Sequence, residues 1–333
     1  MGENSVMNTG HELQEVAGRR IGLEVTERIP LLAWAAHHKE QVRAILREQG
    51  ALLIRGLRVH GTKQFGQFLE ALFEHSLAEY TYRSTPRTKL GSNVYTATEY
   101  HPSETIPQHN ESAYGNAWPM QLGFLCMIPP GPGMGGATPL ADSRAVLARL
   151  PPALVDKFEA RQLQYVRNYG RVDLPWSEVF QTTDPQQVEA FCTANHIQFE
   201  WTGDHGLRTR QVTPATELHP ITGEKVWFNQ AHLFHISGLT AAVARDMLSV
   251  YRMEDLPRNV YHGDGTPIAV EDLDCIRAAY NELKFHFDWQ QGDIVLLDNM
   301  MYTHGRQPYS GERKILVGMA EMRTRTSPGA TQP

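Results

Sequence analysis

Apolar residues recur at helical spacing over residues 39–49, with Val42, Ile45 and Leu46 on one face before Gly50. They do so again over 63–73, where Phe65, Phe68, Leu69 and Leu72 form the apolar stripe behind Thr62. That period predicts two amphipathic helices, the first stopped by a glycine and the second opened by a threonine cap. Between them, Ala51-Leu52-Leu53-Ile54-Arg55 is a continuous apolar run of strand length, as expected where both faces are covered. Residues 20–25 read as a short strand ahead of the first helix.

Further on, strand signals dominate. Gly123 to Ile128 is an apolar run, ended by Pro129-Pro130-Gly131-Pro132-Gly133, through which no ladder continues. Ser143 is placed to cap a helix over 144–150, and 151–161 gives another through Leu154 and Phe158. Short strands are expected at 163–166, 199–201, 207–212 and 225–228, with a helix near 185–194. Residues 270–283 form a helix with Leu273, Ile276, Ala279 and Tyr280 inward. Phe285 to Trp289 then leads to the apolar strand 294–297, and Lys314 to Met319 is another. Many short strands separated by turn signals predict a sandwich or barrel rather than a parallel α/β sheet. Residues 76–106 show no period, which marks a functional loop, here expected to face substrate and act as a lid.

Chemistry enters at His109-Asn110-Glu111. Residues two apart in an extended strand point the same way, so an imidazole nitrogen and a carboxylate oxygen can converge. Such a pair is two-thirds of the facial triad of two histidines and one carboxylate that holds Fe(II). The same spacing at His38 and Glu40 falls in a helical pattern, where such residues diverge. At His262 and Asp264 it falls in a glycine-rich turn. His109 has better company. A turn and apolar strand, Gly292-Asp293-Ile294-Val295-Leu296-Leu297-Asp298-Asn299, precedes His304, and Arg313 opens the strand after it. If those two strands pair as a hairpin, His304 becomes the third ligand and Arg313 offers a bidentate fork to a dicarboxylate beside the metal. Thr138, in Gly135-Gly136-Ala137-Thr138-Pro139, places a hydroxyl a strand-length after the metal pair.

The segments QHNESAY, GGATPLADSRAVLARLP, VWFNQ and GDIVLLDNMMYTHGRQPYSGERKILV resemble the taurine/2,4-D dioxygenase family of Fe(II)/2-oxoglutarate enzymes. Within it, the chain is most similar to the branch that includes the syringomycin-biosynthesis hydroxylases. The resemblance spans roughly residues 20 to 320 and implies a mainly β fold with flanking helices around a double-stranded β-helix, or jelly roll. It implies that His109, Glu111 and His304 bind iron and that Thr138 and Arg313 bind the distal carboxylate of 2-oxoglutarate, with O2 as the second co-substrate and succinate and CO2 as products. Many relatives carry Asp where this chain has Glu111; both are carboxylates. Halogenating relatives lack that carboxylate, so Glu111 favours hydroxylation, while desaturation, cyclisation and epoxidation use the same ligands. Sulfonate-using relatives carry an arginine four residues beyond the 2-oxoglutarate arginine; here Val317 stands there, which disfavours taurine. The implied substrate is a free or carrier-protein-tethered amino acid, or a similar small carboxylate, of secondary metabolism. Asn93, Tyr95, Gln108, Asn110 and Asn229 are the candidates to touch it. Two rivals stand beside this reading. A silent jelly-roll binding protein would show a broken ligand set. A zinc hydrolase would leave Thr138 and Arg313 without a role.

Composition narrows the picture. With 31 basic against 37 acidic residues the net charge is −6, which argues against gripping nucleic acid. Cys126, Cys192 and Cys275 are scattered and odd in number, so a reducing, cytoplasmic setting is expected with the thiols packed as small apolar groups. No apolar run reaches the length of a membrane span, and the first residues lack a secretory layout. Met1-Gly2 lacks the Ser or Thr at position 6 that myristoylation wants, since Val6 is there. His232 and His235, without a carboxylate nearby, are expected to pack rather than ligate. Residues 1–17 and 326–333 read as loose tails around one catalytic domain, 18–325, with an insert at 171–260.

Overall fold

The computed structural model describes residues 12–325 apart from 83, 171, 204 and 205. The strands in chain order are β1 (Gln14–Val16), β2 (Arg19–Glu24), β3 (Ala51–Arg55), β4 (Lys89–Gly91), β5 (Val94–Thr96), β6 (Ile106–His109), β7 (Ala117–Ile128) and β8 (Leu140–Asp142). They continue with β9 (Leu163–Tyr169), β10 (Gln198–Thr202), β11 (Gly206–Thr213), β12 (Thr216–Leu218), β13 (Lys225–Trp227), β14 (Arg258–His262), β15 (Ile294–Asp298), β16 (Tyr302–Arg306) and β17 (Lys314–Thr324). Two sheets make the jelly-roll core. The larger runs β1-β2-β3-β15-β7-β17-β5-β4, and the smaller runs β6-β16-β8. A separate antiparallel sheet, β10-β11-β9-β14, is built from the region expected as an insert, together with the strands that bracket it.

The apolar runs of β3, β15 and β17 are continuous because their sheet is covered twice. Leu52, Ile54, Ile294, Leu296 and Leu316 pack outward against the helices Leu31–Gln49 and Gly61–Phe73. The alternate residues Leu53, Val295, Leu297, Ile315, Val317 and Met319 pack inward with Phe285, Phe287, Trp289 and Tyr302. Period-2 side-chain alternation thus sorts one hydrophobic string into two cores. The outer packing is close. Gly123 and Gly318 are cross-strand partners, and a Cβ on either would come within 2.5 Å of a Leu69 methyl. Two glycines side by side therefore let the second helix settle onto the sheet.

Several expectations need correction. The first helix begins at Leu31, right behind Pro30, and buries Leu31, Trp34, Ala35 and His38 ahead of the predicted stretch. Thr62 does not cap the second helix, which starts at Gly61 behind His60 with no side-chain cap; the Gln64 side chain instead accepts from the His60 amide at 2.5 Å. The cap of the helix Ser143–Arg149 is Asp142, whose carboxylate accepts from the amides of Arg144 and Ala145. Gln14–Val16, expected as tail, pairs with β2. The loop 76–106 contains the β4–β5 hairpin, and β5 is zipped onto β17. Residues 1–11 and 326–333 lie outside the described residues. Among the described residues no helix is long and apolar enough to cross a membrane.

Candidate active site

The site lies between the two sheets, on the smaller one. β6 and β16 run antiparallel with His109 and His304 as direct Cα partners. Cross-strand partners project from the same face, so register alone puts the two imidazoles together, with ring centroids 4.3 Å apart. The hairpin expected between the strands that flank His304 does not exist: β7 lies between β15 and β17, and His304 sits on β16 in the opposite sheet. The predicted convergence arises from sheet pairing instead.

Glu111 follows β6 by two residues, where the chain has left the strand. It is held there by Asn299, whose Oδ1 accepts from the Glu111 amide at 2.7 Å. The Asn299 Nδ2 donates to the carbonyls of Glu111 (2.9 Å) and Pro119 (2.8 Å). Glu111 Oε2 lies 3.8 Å from His304 Nε2. His109, Glu111 and His304 each offer a ligand atom, all within 4.8 Å of one another, and all three are buried. His109 Nδ1 is 2.9 Å from the Pro107 carbonyl, to which it donates, leaving Nε2 free as a lone-pair donor. Burial lowers the pKa of His109 and pushes that of His304 well below the ordinary histidine value, so both rings are neutral, as metal ligation requires.

Beside this cluster a pocket is lined by Arg87, Phe124, Thr138, Arg306, Arg313 and Ile315 as well as both histidines. Arg313 Nε donates to the Gly136 carbonyl (2.8 Å) and Nη2 to Thr138 Oγ1 (3.0 Å). Trp289 Nε1 donates to the same hydroxyl at 3.0 Å. With both acceptor positions filled, the Thr138 hydroxyl must direct its own proton elsewhere, and a ligand carboxylate in the pocket would accept it. Burial, with Arg306 nearby, brings the Arg313 pKa down to about 10, which leaves it charged at neutral pH. Arg306 donates to the carbonyls of Thr98, Tyr100, His101 and Glu104, and so ties the loop ahead of β6 to β16.

The five side chains expected to touch substrate have other partners. Asn93 donates to the Leu77 carbonyl (2.7 Å), and the Tyr95 hydroxyl accepts from the Tyr80 amide (3.0 Å). Gln108 bridges the Pro139 carbonyl and the Thr303 hydroxyl. Asn110 donates to the Asn299 carbonyl and Ser143 Oγ. Asn229 spans the Ala215 carbonyl and the Ala231 amide. Substrate recognition by these residues is not carried by the geometry: buried amides go first to buried backbone groups. His232 donates to the Gln108 carbonyl at 2.8 Å and packs on Tyr280, in keeping with its expected packing role. The residues that sequence reasoning missed are Arg87, Trp289, Asn299 and Arg306. A lone arginine in an aperiodic stretch, or an asparagine after an apolar strand, carries no periodic signal.

The sequence matches the family described as "Taurine catabolism dioxygenase TauD, TfdA family" over residues 13–320. The chain belongs to that family. It is a non-haem Fe(II)/2-oxoglutarate-dependent dioxygenase, with O2 as the other co-substrate. Among its relatives is the dapdiamide synthesis protein DdaC of Enterobacter agglomerans, 39% identical over 287 residues that cover 86% of each chain. Another is a clavaminate synthase-like protein of Arabidopsis thaliana, 31% identical over 300 residues, 85% of each. Among solved structures, PvcB of Pseudomonas aeruginosa superposes with a TM-score of 0.53 at 16% identity, covering 91% of this chain and 87% of PvcB. An asparagine oxygenase bound to Fe(II), 3-hydroxyasparagine and succinate gives 0.54 at 15% identity, covering 87% and 81%. At that identity the structures show the shared jelly-roll fold.

Proposed function

We propose that this dioxygenase hydroxylates a C–H bond of a free or carrier-protein-tethered amino acid, or a similar small carboxylate, in secondary metabolism. The observation that carries it is the complete donor set: two neutral imidazoles and a carboxylate, buried at one point beside a cationic pocket. The residues fit a ferrous centre. His109 has its second nitrogen fixed on a carbonyl, His304 and Glu111 face each other, and both histidines line the pocket. When bound, the iron with 2-oxoglutarate and O2 supplies the oxidising power, releasing succinate and CO2.

The chain's own residues do the rest. Thr138 and Arg313 hold the distal carboxylate and so fix the co-substrate's direction. Phe124 and Ile315 supply an apolar wall that keeps water from the reacting carbon. Glu111 occupies the position that chloride would need, which favours hydroxylation over halogenation. The substrate class follows from two likenesses: DdaC acts in dapdiamide synthesis, and the asparagine oxygenase holds a hydroxylated amino acid. Val317, buried and paired with Phe124, offers no cation to a sulfonate. Free thiols at Cys126, Cys192 and Cys275 fit a reducing cytoplasm.

The test is substrate-stimulated succinate release across an amino-acid panel, free and carrier-loaded, with products checked for one added oxygen. Absence of any stimulated turnover removes the substrate reading. Separately, His304→Ala should abolish the visible charge-transfer band of the anaerobic Fe(II)/2-oxoglutarate protein. Persistence of the band would remove the proposed iron centre.

A further inference from the structure

Arg87 lies in the polar stretch before β6, and its side chain enters the site beside Glu111. Its side chain is 3% exposed, and its Nη2 donates to Glu111 Oε2 at 2.6 Å, the same oxygen that faces His304 Nε2. The guanidinium carbon sits 4.8 Å over the Tyr80 ring, a cation–π contact. Nε and Nη1 are buried and have no hydrogen-bond partner among the described residues. Arg87 lines the same pocket as His109, His304, Thr138 and Arg313.

A guanidinium cannot shed its charge, and burying one with open donors is costly. Here its sole carboxylate is also a donor to the metal. A ferrous ion draws on that same charge, so in the loaded site Arg87 shares Glu111 with a second cation. Its free donors then call for a further anion close to the metal. The anion that must arrive there is the carboxylate of the co-substrate that chelates iron. Arg313 and Thr138, hydrogen-bonded to each other, line the same pocket and are suited to the distal carboxylate.

We propose that Arg87 is a second carboxylate-binding residue of the active site, gripping the metal-chelating end of 2-oxoglutarate while Arg313 and Thr138 hold the far end. The co-substrate is thereby clamped by a guanidinium at each end, and Glu111 is oriented by the same group. This rests on the proposed iron centre but on no particular primary substrate.

The experiment uses the full chain loaded anaerobically with Fe(II), without primary substrate. Affinities for 2-oxoglutarate and for pyruvate, a 2-oxo acid with no distal carboxylate, are read from the charge-transfer band. Arg87→Gln should weaken both by about tenfold or more, the size of a lost charge-assisted hydrogen bond. Arg87→Lys should recover part of the loss. Arg313→Gln should weaken 2-oxoglutarate alone and leave pyruvate unchanged. Mn(II) affinity and thermal unfolding of each variant separate this from loss of the metal or the fold. Unchanged 2-oxo-acid affinity in Arg87→Gln overturns the proposal. So does a loss no larger than the accompanying loss of Mn(II) affinity, which would make Arg87 a support for Glu111 only. If the wild-type protein forms no band at all, the iron centre itself has failed, a distinct result.

Discussion

Asn299 is the most direct test of how the fold delivers Glu111 to the site. Its side chain is fully buried and makes three hydrogen bonds of 2.7–2.9 Å, to both backbone groups of Glu111 and to the Pro119 carbonyl. Asn299→Ala leaves one amide and two carbonyls without partners, far from water. At about 1–3 kcal/mol for each stranded buried group, and allowing for relaxation, the cost is on the order of 3–6 kcal/mol. That is a large part of the roughly 5–15 kcal/mol by which domains are stable. The Glu111 carboxylate also loses its fixed origin, so metal affinity should fall about 10–100-fold, as when ligand-orienting partners are removed elsewhere. Urea unfolding of the apo protein gives the first number and Mn(II) titration the second. A loss under about 1 kcal/mol with unchanged Mn(II) affinity would refute the reasoning, because Asn299 would then be only one of several supports for that turn.

Other expectations follow from the same structure. Gly318→Ala drives a Cβ into Leu69 and should cost about 1–3 kcal/mol, with Leu69→Ala relieving the clash in a double-mutant cycle; additive single effects would contradict it. Thr138→Val keeps the shape of the side chain but removes the hydroxyl, so 2-oxoglutarate affinity measured from the charge-transfer band should drop by about tenfold. Burial holds the His232 pKa down to about 3, so the native ring stays neutral while the unfolded ring protonates near its ordinary value of 6.5. Stability from this group is therefore fully present above pH 6.5 and declines as pH falls toward 3, by up to about 1.4 kcal/mol per pH unit. His232→Gln should flatten the fall in urea stability between neutral and mildly acidic pH. An unchanged slope would mean that the ring titrates normally in the fold.

The chain's own pattern determined much of this protein. The apolar runs at 51–54, 294–297 and 315–319 specify strands covered on both faces, because no half-exposed strand would be apolar at every position. His109, Glu111, Thr138, His304 and Arg313 were legible as chemistry because their residue types suit one metal and one dicarboxylate, and their order matches a known family. What tertiary structure alone decided was how they meet. The two histidines proposed as ligands are united by the register of β6 against β16, which depends on pairing between strands almost two hundred residues apart in sequence. Local pattern holds no record of such a partner. The same limit explains Asn93, Tyr95, Gln108, Asn110 and Asn229, each of which has at least one hydrogen bond to a backbone group that only folding brings near. It also explains Arg87 and Asn299, which look ordinary in the sequence. Their importance arises because burial removes water and leaves each with very few partners, among them Glu111, the proposed metal ligand.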